Sequence, residues 1–556
     1  MAIHLVPPSC AVRCFVILLP VPAILALSIQ SCKLFARQAT VGNLIPVENM
    51  LVRILAILVV LATTACTTLK PNPEKVITHT LPEASTGLLA ETVRKLDLEP
   101  GQTAAMRLPA ARDALEWRLA LVDHASTSID IQYFIWTHDE VGGLLLDRLL
   151  DAADRGVRVR ILLDDLNLSG ADKKIAVYSK HPNLEIRLFN PGRVRKSALG
   201  GLGEFLLYFR ELNRRMHNKL FIVDNHFAII GGRNIGNPYF GLSEKYNNMD
   251  FDLLLAGLSE KEISQAFDEY WNADPAYPGA ALSDKAGFDR YEALRSEIDE
   301  YLQQHSAKLA SYPLERMDWS GRFAELPAKM ITAKGHFLQD EPVTLNGEEL
   351  RLVDMIDEVA GEAREEMIFI SPYFIPSTDL LEVIGQTSSR GIKVKILTGG
   401  LDSNNHTSVH SHYRKYRRAI LATGAELYEF RHDPSDYVRS LSNVPPVTAS
   451  FISLHLKALI VDRDKLFIGS LNLDPRAMVI NTENGIYLES ETLGAKITDG
   501  FDLLTSAENA WRVTVNEEDK LQWESSEGIV YTQPARHFGQ RVSDFFLRIL
   551  PIESQL

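Results

Sequence analysis

Residues 128–136 read SIDIQYFIW, with apolar positions that first alternate and then run together, as in a strand buried on one face and then on both. Residues 111–121, just before, have helical spacing. Beyond the strand, Leu145, Leu149 and Ala152 share one helical face, and the helix closes at Arg155-Gly156, where glycine suits the position just past a helix end. Residues 157–163 predict a second strand, ending in Asp164-Asp165, and Leu184–Phe189 a third, broken by Asn190-Pro191-Gly192. Two short apolar runs, Leu220–Val223 and residues 227–230, flank Asn225-His226 as a predicted hairpin. Residues 250–256 follow as a strand. Ser259 with Glu262 then predicts a capped helix carrying Ile263, Phe267 and Trp271.

The same order returns further on. Residues 367–373 answer to the first strand, RGIKVKILTGG (390–400) to RGVRVRILLDD (155–165), and ELYEF (426–430) to EIRLF (185–189). Tyr133 and Tyr373, Arg155 and Arg390, Glu185 and Glu426, and His217 and His455 are related by shifts of 235 to 241 residues. A near-constant shift over four elements predicts a duplicated domain, α/β in each half. Between the halves, Phe288, Tyr291, Leu294, Ile298 and Leu302 have helical spacing and predict a bridging helix. The expected divisions are 1–66, a leader; 67–110, a tether and extension; 111–285, the first domain; 286–345, a helical bridge; 346–508, the second domain; and 509–556, a strap containing Trp511 and Trp523.

Chemistry concentrates at the hairpin. Residues 214–234 read RRMHNKLFIVDNHFAIIGGRN, with His217, Lys219 and Asp224 at H-x-K-x-x-x-x-D spacing, then Gly231, Gly232 and Asn234. The second copy has His455, Lys457 and Asp462, then Gly469, Ser470 and Asn472. Residues two apart on a strand share a face, so His217 and Lys219 point together. Asp224 has the other parity and sits at the turn, where its carboxylate can bond backbone N–H groups and support the pair. The glycines open a loop whose bare N–H groups could hold an anion. Such a set suits a phosphate ester: one histidine attacks phosphorus, a second protonates the leaving oxygen, and two lysines stabilise charge on the non-bridging oxygens. One copy alone would be an ordinary strand ending in a turn. Two copies with the downstream Gly and Asn at the same offset are a site.

At 556 residues there is room for two or more domains, and 46% hydrophobic with 23% charged residues is a globular composition. A net charge of −14 argues against broad binding to nucleic acid, so any anion site is a local basic pocket. The cysteines are Cys10, Cys14, Cys32 and Cys66, which leaves the rest of the chain without disulfides or thiolate metal sites, as suits an oxidising compartment. Residues 50–66, MLVRILAILVVLATTAC, have the basic start, apolar run and small residues of a secretory signal, and Met50 is a candidate start. The terminal Cys66 makes this stretch resemble a bacterial lipoprotein signal with Cys66 lipidated. A plain membrane anchor in residues 15–29 is the alternative. Residues 70–75, KPNPEK, would then be a polar tether.

The paired motifs resemble the signature of the phospholipase D superfamily, in its duplicated single-chain form. IDIQYFIW, RGVRVRILLDDLN, NRRMHNKLFIVD, HSHYRKYRRAILATGAELYEF (410–430) and the closing LPIESQL are similar to the bacterial phospholipase D-type cardiolipin synthases, in the C-type branch. The resemblance covers residue 111 to the end. It implies two phospholipase D-like α/β sandwich domains related by a pseudo-twofold, with one shared active-site cleft. It implies a phosphohistidine intermediate with no cofactor and no metal, His217 as nucleophile and His455 as acid. Asp224 and Asp462 enter the catalytic set as members of the signature. Lys219, Lys457, Gly232, Asn234, Ser470 and Asn472 would bind phosphate, and Asp250 and Glu483, beyond each motif, would orient that motif's own histidine.

Expected partners are phospholipids (phosphatidylglycerol, and phosphatidylethanolamine as a further donor) and a membrane surface, with no nucleic acid; the expected location is the bacterial cell envelope. The basic run on 414–418, Arg414 and Arg417 above all, is the candidate for an acceptor headgroup. His406, His410 and His412 belong to a helix near the cleft rather than to a metal site. FLLYF (205–209) reads as buried, with a membrane-facing lip as the alternative. Competing functions are a phosphodiester hydrolase releasing phosphatidic acid, a nuclease, and a lipid-binding protein without catalysis. Loss of a motif His or Lys would mark the last, and none is lost.

Overall fold

The structure, a computed structural model, describes residues 69–556 apart from 72, 169, 196–197, 258–259, 284–285 and 343–351. The leader with Cys66, and the Ser259 cap, lie outside the described residues.

In the first half Ser128–Tyr133, Arg158–Asp164 and Leu184–Phe189 pair in parallel. Leu220–Val223, Phe227–Gly231 and Asp252–Ala256 continue the sheet antiparallel. The second half repeats this with Glu366–Ile370, Lys393–Gly399 and Glu426–Phe430 in parallel, then Ala458–Val461, Lys465–Gly469 and Asn484–Glu489. Burial follows the period of two. In Glu366–Ile370, Met367 and Phe369 enter one apolar cluster, while Ile368 and Ile370 enter another. That second cluster also holds Leu162, Ile222 and Ile230 of the first half beside Leu397, Ile460 and Ile468 of the second, so the halves share a core.

Two strands that the repeat does not contain join the halves. Gln102–Leu108 pairs with Asp252–Ala256 on one side and Ile331–Gln339 on the other, and Ile331–Gln339 pairs in turn with Asn484–Glu489. Eighteen of the described strands thereby form one hydrogen-bonded sheet. The stretch expected to be a bridging helix bridges only through its strand. Its helix, Tyr291–Gln304, packs on the first half, where Arg295 pairs with Asp147 at 3.1 Å. The expected tether is held as well: Leu69 N–H donates to Arg193 O at 3.3 Å, and the Lys75 ammonium donates to Ala273 O.

The strap divides in two. Ala510–Val515, Leu521–Ser525 and Gly528–Val530 extend the second half's sheet, and helix Phe538–Leu547 lies against helix Thr407–Tyr413. Among the described residues no helix is long and apolar enough to cross a membrane.

Candidate active site

The two hairpins turn through Asp224-Asn225 and Asp462-Arg463, all four with positive φ between 50° and 61°. Asp and Asn tolerate that region because a short polar side chain can bond nearby backbone. The Asp224 carboxylate accepts from the backbone N–H of Ser126, Thr127 and Ser128 at 2.8–3.1 Å and from the hydroxyls of Ser126 and Thr127. Asp462 likewise accepts from the N–H groups of Arg364, Glu365 and Glu366 at 2.8–3.0 Å. Each aspartate therefore fixes the start of its half's first strand, at the far end of the hairpin from the histidine. The parity expectation matches this placement, whereas catalytic membership does not. Asp224→Asn is expected to lower stability by about 2 kcal/mol, since charged acceptors of several bonds are lost. Protein that stays folded should keep its activity; a denaturant melt with a parallel assay checks both.

The catalytic ends of the hairpins meet across the halves. Tyr246–Met249 pairs in parallel with Phe451–Leu454, with Met249 opposite Leu454, so the next residues, Asp250 and His455, face one another. A second parallel bridge, Met216 with Thr482, does the same for His217 and Glu483. His455 Nδ1 lies 2.6 Å from Asp250 Oδ2, and His217 Nδ1 lies 2.7 Å from Glu483 Oε2. The pairing is thus crossed. Each imidazole is backed by the carboxylate of the other half, a correction to the expectation that each motif's acid serves its own histidine. Period and parity say which face a side chain takes, not which half stands opposite.

Lys219 and Lys457 are buried beside the imidazoles, and each ammonium donates to the backbone carbonyl of its own histidine. Phe134 meets the His217 ring edge-on at 4.9 Å between centroids, and Tyr239 meets His455 at 5.2 Å. Burial, then the charges of Lys219 and Lys457, drives the His217 imidazole well below its ordinary range, and His455 contributes to the same fall. The four groups are therefore near enough to act on one another and form one site. Burial and Lys457 lower His455 to about 4 against the pull of Asp250. Burial lowers Lys219 to about 7 and Lys457 to about 8.

The two carboxylates differ. Burial works to raise Asp250, yet His455, its hydrogen bond and Lys457 outweigh it and hold the carboxyl at about 2. Burial drives Glu483 well above the carboxylate range, and neither Lys219 nor the Ser470 hydroxyl bond undoes it. So burial opposes the charge on both carboxylates, and the neighbouring cations offset it at Asp250 but not at Glu483.

The other sequence candidates divide. The Ser470 hydroxyl is committed to Glu483 and to the N–H of Asn484, so it sits behind the His217 ring rather than at a phosphate. A Cβ at Gly232 would collide with the Asp250 carboxylate, so glycine makes room there for the partner of His455. Asn234 is buried, its oxygen accepting from Ile135 N–H at 3.1 Å and its amide donating to Tyr239 hydroxyl at 3.0 Å. Asn472 is buried beside the second motif, with its side-chain oxygen unpartnered.

Arg417 is 2% exposed and bonds Glu429 at 2.5 Å, with Gln533 and His410 as further partners, so it cannot hold an acceptor headgroup. Arg414 pairs with Asp544 at 2.5 Å. This corrects the acceptor expectation for Arg417, which is buried and bonded on three sides; Arg414 is paired through one nitrogen and stays 31% exposed. His410 and His412 also face the strap, at Asp544 and Leu550 O, and among the described residues no His, Cys, Asp and Glu group is arranged to hold a metal. FLLYF is less buried than expected: Leu207 and Tyr208 are exposed.

Three positioning residues were not foreseen. Asn484 brackets Lys219, its side chain accepting from the Lys219 N–H at 3.0 Å and donating to the Lys219 carbonyl at 3.3 Å. Asp340 accepts from Glu483 N–H at 2.9 Å. Arg476 bonds Asn213 and the Gln555 carbonyl and adds its charge to those acting on His217. Asn484 follows directly on Glu483, and that adjacency was a readable signal. Asp340 lies outside the repeat and gave none.

The family description "Cardiolipin synthase, PLD-like domain" matches residues 119–274 and 356–505, one range over each histidine–lysine pair. The chain belongs to the cardiolipin synthase family of phospholipase D-like proteins. It is 34% identical over 465 residues to cardiolipin synthase C of Escherichia coli (strain K12), covering 82% of this chain and 96% of that one. Against the major cardiolipin synthase of Bacillus subtilis (strain 168) identity is 25% over 398 residues, 71% of this chain and 68% of the relative. Among solved structures, phosphatidylserine synthase of Haemophilus influenzae Rd KW20 has a TM-score of 0.50 at 14% identity, covering 76% of this chain and 91% of that one, a likeness of fold alone.

Proposed function

We propose that the protein is a phosphatidyltransferase that forms cardiolipin through a phosphohistidine, with phosphatidylglycerol as acceptor. The observation that carries this reading is the crossed pair of imidazoles, each bonded through Nδ1 to a buried carboxylate of the other half and set beside a buried lysine. Asp250 as an anion stabilises His455 as imidazolium, the form a general acid needs. His217, tied through Nδ1 to Glu483, turns its Nε2 to the substrate for attack.

The His217 Nε2 attacks phosphorus while the bond to the leaving alcohol breaks, and His455 gives its proton to that oxygen. The phosphatidyl group is then bonded to His217. A hydroxyl of phosphatidylglycerol loses its proton to His455 and attacks, the P–N bond breaks, and both histidines return to their starting states. The phosphodiester anion, seated between Lys219 and Lys457, supplies the negative charge that raises their proton affinity and that of His455. The donor is phosphatidylglycerol or phosphatidylethanolamine, and the leaving alcohol is glycerol or ethanolamine accordingly. The bacterial cell envelope is the place for such chemistry, with attachment through Cys66 or the apolar leader.

Hydrolysis shares the first step and differs only in the second nucleophile. Water stands at about 55 M, so transfer requires that an alcohol be positioned with an effective molarity of up to about 10⁵–10⁸ M and that water be kept out. The full chain, given vesicles of labelled phosphatidylglycerol, is expected to yield cardiolipin and free glycerol as the main products, and chelation should leave the rate unchanged. Phosphatidic acid as the chief product at every phosphatidylglycerol content would make the protein a hydrolase.

A further inference from the structure

The C-terminal helix Phe538–Leu547 is mounted the wrong way round for a protein in water. Its inward face is polar. Gln540 is 4% exposed and donates to Leu401 O, while Asp544 is fully buried between His410 and Arg414. Its outward face is apolar, with Phe538, Val542, Phe545 and Phe546 on the helix and Ile549 just past it, exposed by 79, 37, 49, 63 and 66%. These positions recur at three- and four-residue steps and form one stripe. A helix packed for its own stability would bury that stripe. Here polar bonds hold the helix to the body, and the stripe is left outside. A contiguous apolar surface of this kind marks an interaction site.

Charge indicates what the stripe meets. Arg541 and Arg548 are exposed on the same helix and its end, and among the described residues neither pairs with a carboxylate. Aromatic side chains flanked by exposed arginines without a carboxylate partner, on a helix lying along a surface, fit the boundary layer of an anionic bilayer. The surface is also continuous with the site. The chain runs from this helix directly to Gln555 and Leu556, whose carbonyls accept from Arg476 at 2.9 and 2.7 Å. Val479, three residues beyond Arg476, is 72% exposed, and Asn213, bonded to Gln555, ends the short helix Phe209–Asn213 that follows the exposed Leu207 and Tyr208.

We infer that the outward face of helix Phe538–Leu547 is a membrane-docking surface, which inserts its aromatic stripe among the headgroups and acyl-chain ends of an anionic bilayer and seats the catalytic cleft at the lipid surface. This assigns the strap a function that rests on the lipid-substrate reading for its purpose, but not for its binding. Asp544 then acts as the clamp that keeps the helix at a fixed height relative to the two imidazoles.

The test uses the full chain with vesicles of phosphatidylglycerol and phosphatidylcholine in which a fraction of phospholipid carries a diazirine on its acyl chain. After illumination, acyl-chain adducts are expected on peptides spanning 538–549. In parallel, a variant combining Phe545→Ser, Phe546→Ser and Ile549→Ser is assayed on vesicles and on dihexanoyl phosphatidylglycerol below its micellar concentration. Its rate on vesicles should fall about tenfold or more, because binding at an interface scales with buried apolar area, and its rate on the dispersed lipid should match wild type. Arg541→Gln with Arg548→Gln should remove the preference for anionic over zwitterionic vesicles.

Turnover of vesicle lipid with no adduct on 538–549 would overturn the inference, and a second copy or the leader would then cover the stripe. An equal fall on both substrates would overturn it too, since the strap would then act on the site directly. Adducts on the helix from a protein that turns over neither substrate would uphold docking and sink the transferase reading, which keeps the two failures apart.

Discussion

His217→Ala is expected to lower turnover about 10⁴-fold or more, His455→Ala to do the same, and the double variant to be scarcely slower than either, because groups that act as one unit are lost together. The geometry requires it. The two imidazoles, two lysines and two carboxylates act on one another's protonation, and each carboxylate reaches its imidazole across the halves. Removing either histidine empties one side of a single displacement: without His217 no covalent intermediate forms, and without His455 the leaving oxygen departs as an alkoxide. Steady-state rates with labelled phosphatidylglycerol, for both single variants and the double, decide it. Losses that multiply would mean two separate sites.

The second large effect separates the roles. General acid catalysis is worth about 10²–10⁴-fold when the leaving alkoxide is basic, and far less when it is not. On a natural phospholipid Asp250→Asn should fall by that range, and His455→Ala, which loses acid and base together, by its upper end or more. On an aryl phosphatidyl ester, whose phenolate leaves without a proton, both variants should still release one equivalent of phenolate in a burst. His455→Ala should then stall as the acid-labile phosphohistidine, because no base remains to activate the acceptor, while Asp250→Asn, which keeps the imidazole, should turn over slowly after its burst. His217→Ala should give no burst on either substrate. Asp250 lies in the first half, so its grouping with His455 rather than with His217 is itself a test of the crossed pairing. A burst from His217→Ala, with none from His455→Ala, would reverse the assignment.

Much of this was legible before any coordinates. The first hairpin follows from two short apolar runs around Asn225-His226, and the duplication follows from the shift between four matched elements. The joining strands were not legible. Gln102–Leu108 and Ile331–Gln339 carry polar residues at nearly half their positions, lie outside the repeat, and become strands because sheet edges on both sides offer them partners. Arg417 was misread because a run of basic residues resembles a solvated face. It lies in fact on the inward stripe Tyr413–Arg417–Ile420, opposite the buried Glu429 of strand Glu426–Phe430. That spacing was present in the sequence and favoured a buried ion pair, which needs its partner for the fold and is not available to a ligand. The exposed face of Phe538–Leu547 escaped notice for the converse reason. An amphipathic pattern fixes which residues share a face, not which face turns inward.

The crossed carboxylates also bear on how the protein is made. The first half leaves the ribosome with His217, Lys219 and Asp250, but Glu483 follows 266 residues after His217, and the strands that bring it there come late. Until then His217 has no partner to fix its ring, and Asp250 has no histidine to serve. A chain truncated before Glu483 is therefore expected to be inactive on phospholipid, because the crossed site is completed only when both halves are present.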